Sequence, residues 1–409
     1  MRFDDQCGGG QDQLEGCIIT VAPGTYIDNV SLDLGTKAKP LRLLISGTST
    51  ASTIIIDGNG TAPVFAFGGN VKIHLADLTI TDGAGRQISP GTAGGGIFAI
   101  GGILEVSSCI VENNQANLGA GIYSDNVDLE VVNSLIADNG SSVQSVRNIG
   151  GGILFESDKG HTVKIVSSTI AGNAAAFAGG GVMINGKLPK RPKAEIIDST
   201  ISGNVTNNPF SGGEGGAGLE LIAAKLTMLD STLSGNTAGG NTAAGGGIQV
   251  ALTDAVLNNV TISDNSASTA GGIDATEINI SGSDSLKRLV ISNAIVADNL
   301  APSNADCLAG GVTPPIISAD YNLIGDANGC ALSGRMGHNL GGEPLLGPLQ
   351  NNGGATDTMA LLTGSPALGA GNPARPNKNG QHGPCLANDQ IGTPRAKSDC
   401  DIGAWQHPE

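Results

Sequence analysis

The chain alternates short apolar runs with glycine and asparagine turns, and it does so in a sentence that repeats. Ser168-Thr-Ile-Ala-Gly-Asn173 is followed by Gly179-Gly-Gly-Val182. The first half returns at Cys109-Ile110, Leu135-Ile136, Thr200-Ile201, Thr232-Leu233, Thr261-Ile262 and Ile295-Val296. The glycine half returns before Ile97, Ile122, Ile153, Leu219, Ile248 and Ile273. Taking Asn113, Asn139, Asn173, Asn204, Asn236, Asn265 and Asn299 as the marker, the steps vary between 26 and 34 residues. Within a unit, apolar residues stand two and four positions before a polar column: Ile165 and Val163, Ile196 and Ala194, Met228 and Leu226, Leu257 and Ala255. Spacing of two marks the inward face of a strand. The column itself reads Asp77, Ser107, Asn133, Ser167, Asp198, Asp230, Asn259 and Asn293, and the inward parity changes across it, so the strand bends there.

A unit of this size cannot bury its apolar face alone and must stack on its neighbours. The predicted fold is all-β, a single-stranded right-handed parallel β-helix of about ten coils with terminal caps, its coils roughly 4.8 Å apart. Variable step length places insertions in outward turns. The recurring asparagines would hydrogen-bond from coil to coil as a structural ladder. The expected organisation is an N-terminal disulfide cap over 1–17, the helix over 18–340 and a C-terminal module over 341–409.

Composition narrows the function classes. With 64 glycines, 39% hydrophobic and 14% charged residues, the chain is too apolar for disorder and too rich in glycine for helices. A net charge of −16 argues against nucleic acid and anionic membranes as partners. No apolar run is long enough to span a membrane. The chain opens Met1-Arg-Phe-Asp-Asp-Gln6 without an apolar leader, and the expectation is an exported protein whose leader is not part of this sequence. Cysteine usage points the same way, with the pairs Cys7 and Cys17, Cys307 and Cys330, and Cys385 and Cys400 expected as disulfides. Cys109 is left over, aligned with Thr169 as a packing residue.

Three strings near the start, Val21-Ala-Pro-Gly-Thr-Tyr26, Ile55-Ile-Asp-Gly58 and Leu78-Thr-Ile-Thr-Asp-Gly83, resemble the opening of pectate-lyase-like right-handed β-helix proteins. The Gly-Gly-Gly-Ile and Ser-Gly-Asn repeats are similar to those of polymorphic outer-membrane proteins. Toward the end, Glu343-Pro-Leu-Leu-Gly-Pro-Leu-Gln350, Asn351-Asn-Gly-Gly354, Leu361-Leu-Thr-Gly-Ser-Pro-Ala-Leu368, Gly371-Asn372, Asp389-Gln-Ile-Gly-Thr-Pro-Arg395 and Cys400-Asp-Ile-Gly-Ala-Trp405 resemble the choice-of-anchor Q module. That resemblance implies a secreted or cell-surface bacterial protein. Physically, such a module would cover the open sheet edge of the last coil.

Two constellations carry candidate chemistry. Asp198 and Asp230 fall on adjacent coils at strand spacing, close to the separation of a retaining glycosidase pair and close enough to share Ca²⁺, the one cofactor the sequence admits. The same column holds Ser or Asn elsewhere, which favours a bend-bonding role. On the outer face Asp128, Thr162, Lys193, Lys225 and Asp254 form one column, and Glu130, Lys164 and Glu195 its neighbour. Lys193 and Lys225 lie beside the basic insertion that carries Lys187, Lys190 and Arg191, with His161 nearby. A polysaccharide lyase needs a cation for the uronate and a base for its α-proton, roles these residues would fill; the alternative is a solvated ion ladder. An outward file that includes Thr79, Thr169, Thr200, Thr232 and Thr261 has the form of an array that orders water and binds ice, but Ala171, Ala137 and Leu135 interrupt it, so ordinary β-propensity accounts for it better. His74, His161, His338, His382 and His407 are scattered, and aromatic residues for sugar stacking are few. The reading is a secreted or cell-surface protein that binds extracellular glycan or a surface protein without chemistry; the alternative is a polysaccharide lyase or glycoside hydrolase acting on an acidic polysaccharide.

Overall fold

The computed structural model describes residues 17–33, 41–89, 91–140, 148–207, 215–240, 243–276, 288–310, 316–374, 383–395 and 399–408. Strands follow one another as short runs separated by bends, and each run pairs in parallel with its equivalent one coil away. Thr162–Val166 pairs with Lys193–Ile197, Thr169–Ala171 with Thr200–Ser202, Ala174–Ala175 with Val205–Asn207, and Val182–Gly186 with Leu219–Ile222. The chain therefore winds as a parallel β-helix. Its first two faces merge into one long sheet, because Lys225–Ser234 and Asp254–Ser263 run through the bend between them without a break. The third face is a ten-stranded parallel sheet among the described residues.

Inward side chains form one continuous core from Ile19 to Cys330, filled mostly by Ile, Leu and Val. Ile170, Ile201, Leu233 and Ile262 sit one above another, fully buried. Stacking like on like removes each side chain from water, worth roughly 1.5–3 kcal/mol apiece. The bend at the polar column is a left-handed backbone step, with φ of 48° at Asn133, 47° at Ser167, 52° at Asp198 and 40° at Asp230. Asp and Asn accept that conformation more readily than most residues.

One coil stands one residue out of the expected register. Its bend residue is Ser108, not Ser107, and its ladder asparagine is Asn114, not Asn113. Val111, rather than Ile110, is the core residue paired with Ile136. Cys109 then aligns with Ser134, Ser168, Ser199 and Ser231 instead of Thr169. In this file each hydroxyl accepts the backbone N–H of the previous coil, as Ser168 Oγ does from Ser134 N at 3.1 Å and Ser134 Oγ does from Cys109 N at 3.1 Å. Cys109 is buried, and burial pushes its thiol up to about 12.

The asparagine ladder is real. In each coil the side-chain oxygen accepts both the backbone N–H and the amide N–H of the preceding asparagine, from Asn114 through Asn139, Asn173, Asn204, Asn236 and Asn265 to Asn299, at 2.8 to 3.1 Å. It ends on Asp306, whose carboxylate accepts from Asn299 at 2.9 Å. The ladder explains the glycine half of the repeat. A Cβ on Gly181 would stand 2.9 Å from the Asn204 amide and 2.6 Å from the Gly218 carbonyl, so only glycine fits opposite each asparagine.

Disulfides Cys307–Cys330 and Cys385–Cys400 form as expected. Cys7, and with it the expected pairing to Cys17, lies outside the described residues, as does His382. No helix among the described residues is long and apolar enough to cross a membrane.

Candidate functional site

The C-terminal segment is laid lengthwise on the flank of the helix, over the bend column, rather than confined to the edge of the last coil. Thr356 Oγ1 donates to the Asp198 carbonyl at 3.0 Å, and Thr200 Oγ1 donates to the Asp357 carbonyl at 2.6 Å. Gln390 bridges two coils, its amide N–H reaching Thr200 Oγ1 at 2.8 Å and its oxygen accepting from Thr232 Oγ1 at 2.7 Å. Ala404 N donates to Thr261 Oγ1 at 3.0 Å, and Asn259 accepts from Leu386 N at 3.0 Å. Thr200, Thr232 and Thr261 are thus buried under this segment, so the outward threonine file is closed where it is most regular.

This placement decides the fate of the carboxylate pair. Asp230 is buried with its side chain 8% exposed, and Arg395 Nη2, fully buried, donates to its Oδ1 at 2.9 Å. Asp230 is thus enclosed and engaged by the arginine rather than open to solvent. Asp198 remains half-buried beside it. Burial, reinforced by the charge of Asp389 and partly offset by Arg395, raises its carboxyl to about 6.

The basic face forms as the alignment predicts. Lys193 and Lys225 are cross-strand neighbours, with Thr162 and Asp254 on either side. Both lysines are exposed and have no ion-pair partner among the described residues. The other candidates are engaged or separate. Arg191 pairs with Asp254 at 2.5 Å and reaches the Ala224 carbonyl at 3.4 Å, pinning the insertion to the next two coils. His161 stands 3.3 Å from Asp128, and Lys164 pairs with Glu130 at 3.0 Å. Lys187 and Lys190 are exposed on the insertion. Lys187, with Lys159, lies near enough to Asp125 to offset part of the rise that burial and Glu156 cause there. The face therefore presents two adjacent ammonium groups on a flat sheet, bordered by ion pairs.

A third feature was not expected. Three contiguous hollows of about 500, 350 and 520 Å³ run parallel to the helix axis on the early coils. Their floor is a column with one residue per coil, Ala84, Gln115, Gly140 and Ala174, joined by parallel bridges. The rim is the left-handed turn just before the asparagine ladder: Asp82, Asn113 and Asp138, with φ of 52°, 56° and 53°, all exposed. The hairpin Arg86–Ile88 with Gly91–Ala93 walls one end. It is held by Asn117 Oδ1, which accepts from Thr92 N and Oγ1 at 3.1 Å, and by Arg86 over the Phe98 ring at 5.2 Å. The floor and rim span three coil steps, roughly 14 Å, and offer a hydrogen-bonding side chain on most coils. The register slip at Asn113 hid this rim, because that residue was assigned to the ladder. Arg395 was equally invisible as a site residue, for its partner lies 165 positions away.

The molecule belongs by its architecture to the parallel β-helix class. No protein family and no curated protein matches the sequence. Among solved structures, the chain is similar to one described as the crystal structure of pectate lyase Pel9A, with a TM-score of 0.48, 13% identity, and coverage of 96% of this chain and 88% of that one.

Proposed function

We propose that this protein binds a polysaccharide along the groove of its early coils and does not cleave it. The observation that carries this reading is the groove itself: a straight, open channel in which Asp82, Asn113, Gln115 and Asp138 face solvent from successive coils. A rigid array of acceptors and amides suits the hydroxyls of an extended sugar chain, because the helix has already fixed the positions those groups must hold. The engagement of Asp230 by Arg395 supports binding over hydrolysis. The cysteine pairs and the choice-of-anchor resemblance support an exported, surface-held protein.

A lyase reading retains one observation in its favour, the exposed pair Lys193 and Lys225. Like charges facing each other across strands cost stability, and an anionic sugar would relieve that cost. The same experiment separates the two readings. The protein is mixed with neutral and uronate polysaccharides, retention is followed by affinity electrophoresis, and unsaturated products are followed by ultraviolet absorbance. The binding reading expects retention without product. Absorbance that grows with time and vanishes in Lys193→Ala would establish the lyase.

A further inference from the structure

The seat of the C-terminal segment has a charge arrangement that its hydrogen bonds do not require. One guanidinium, Arg395, is enclosed with carboxylates from both sides: Asp198 and Asp230 from the coils, Asp389 and Asp401 from the segment itself. Among the described carboxylates only Asp230 touches it directly, at 2.9 Å. Arg395 Nε is buried without a hydrogen-bond partner, and no described side chain or backbone group hydrogen-bonds the Asp198 carboxylate. The loop that presents Arg395 is closed by Cys385–Cys400, so the arginine is delivered as part of a stapled unit. We propose that the C-terminal segment is a latch, closed on coils 198–293 in mild acid and loosened as the pH rises, because among the described residues its seat holds four carboxylates around one guanidinium.

Burial raises all four carboxyls above their ordinary range, and Arg395 offsets only part of the rise. Asp389 and Asp401 also accept backbone N–H groups, Thr393 and Gln406 on the first, Gly369 and His407 on the second, so Asp198 is the member with least compensation. The sign follows from linkage. A carboxyl raised in the closed state binds its proton more tightly there, so closure is fully favoured below the ordinary carboxylate range and is weakened as the pH climbs through about 6, the value for Asp198. Because the four interact, the transition belongs to the cluster as a whole. Among the described residues the further charged neighbours are Asp399, which raises Asp401 further, and His407, whose ring lies 5.8 Å from that of Trp405.

The protein carries its own reporter. Trp405 is its one tryptophan and packs with Leu361, Ala367 and Ile402 against Ile295 and Leu323 of the helix. The test follows the emission maximum of the full-length protein, and its quenching by acrylamide, from about pH 5 to about pH 8. The expected result is a red shift and an increase in quencher access of several-fold, centred near pH 6. Asp198→Asn should move the transition to higher pH, and Arg395→Met should give the open spectrum throughout. His407→Gln should leave the transition in place, which separates latch opening from quenching by the neighbouring imidazole. An emission maximum that stays constant across the range, a transition that disappears in His407→Gln, or one that Asp198→Asn leaves unmoved would overturn the latch.

Discussion

Asn204 shows how much one side chain does in this molecule. Its oxygen accepts two N–H groups from Asn173, and its amide donates to Asn236 and to the Ile170 carbonyl at 3.0 Å, all in a dry corner. Removing it strands buried donors on the coil before, at about 1–3 kcal/mol each. Asn204→Ala should therefore destabilise the protein by about 2–4 kcal/mol in urea denaturation, and a loss below about 0.5 kcal/mol would show that the ladder is dispensable. Cys109 offers a second test at this scale. Its thiol is buried and pushed up to about 12, so it should resist thiol reagents at neutral pH until the protein unfolds. Labelling of the folded protein would contradict its place in the serine file.

Among the elements, the coil corner links the two halves of the repeat. Glycine faces asparagine because nothing larger fits between the ladder and the backbone of the next coil. Gly181→Ala would place its Cβ 2.6 Å from the Gly218 carbonyl, whereas Gly337→Ala would meet nothing within 4 Å. The first substitution should cost about 1–3 kcal/mol and the second less than about 0.5 kcal/mol, read from paired denaturation curves. Equal effects would mean that the corner relaxes freely. This pairing was legible in the sequence as co-occurrence, since identical residues recur at one place in every coil. The register of the coil at Ile103–Ser107 was not. Cys109-Ile110-Val111 puts apolar residues in succession, so alternation there admits two alignments, and only the backbone pairing of Val111 with Ile136 separates them. The groove rim was lost with it. The rim column reads Asp82, Asn113, Asp138, then Gly172, and a left-handed turn accepts all three residue types, which leaves no constant letter to follow.

For the whole molecule, the solenoid's regularity is interrupted on one flank by the C-terminal segment, and that choice of flank has a residue-level cause. Coils at Thr200, Thr232 and Thr261 present three successive hydroxyls that the segment binds, whereas on the earlier coils Ile110 and Leu135 separate Thr79 from Thr169 in the same file. The sequence displayed the threonine file but not its cover, because contacts across about 160 residues leave no local pattern. The cover closes the threonine file on the later coils, while the rim of the groove on the early ones stays exposed. Binding along that groove is the central claim, and titration calorimetry tests it most directly. A neutral polysaccharide retained in the electrophoretic screen would be titrated into the wild type, into the triple variant Asp82→Ala, Gln115→Ala, Asp138→Ala, and into Lys193→Ala with Lys225→Ala. The groove account predicts at least about a tenfold loss of affinity in the triple variant and wild-type affinity in the lysine variant, since each lost hydrogen bond is worth about 0.5–1.5 kcal/mol. Undiminished binding by the triple variant, or loss confined to the lysine variant, would contradict it.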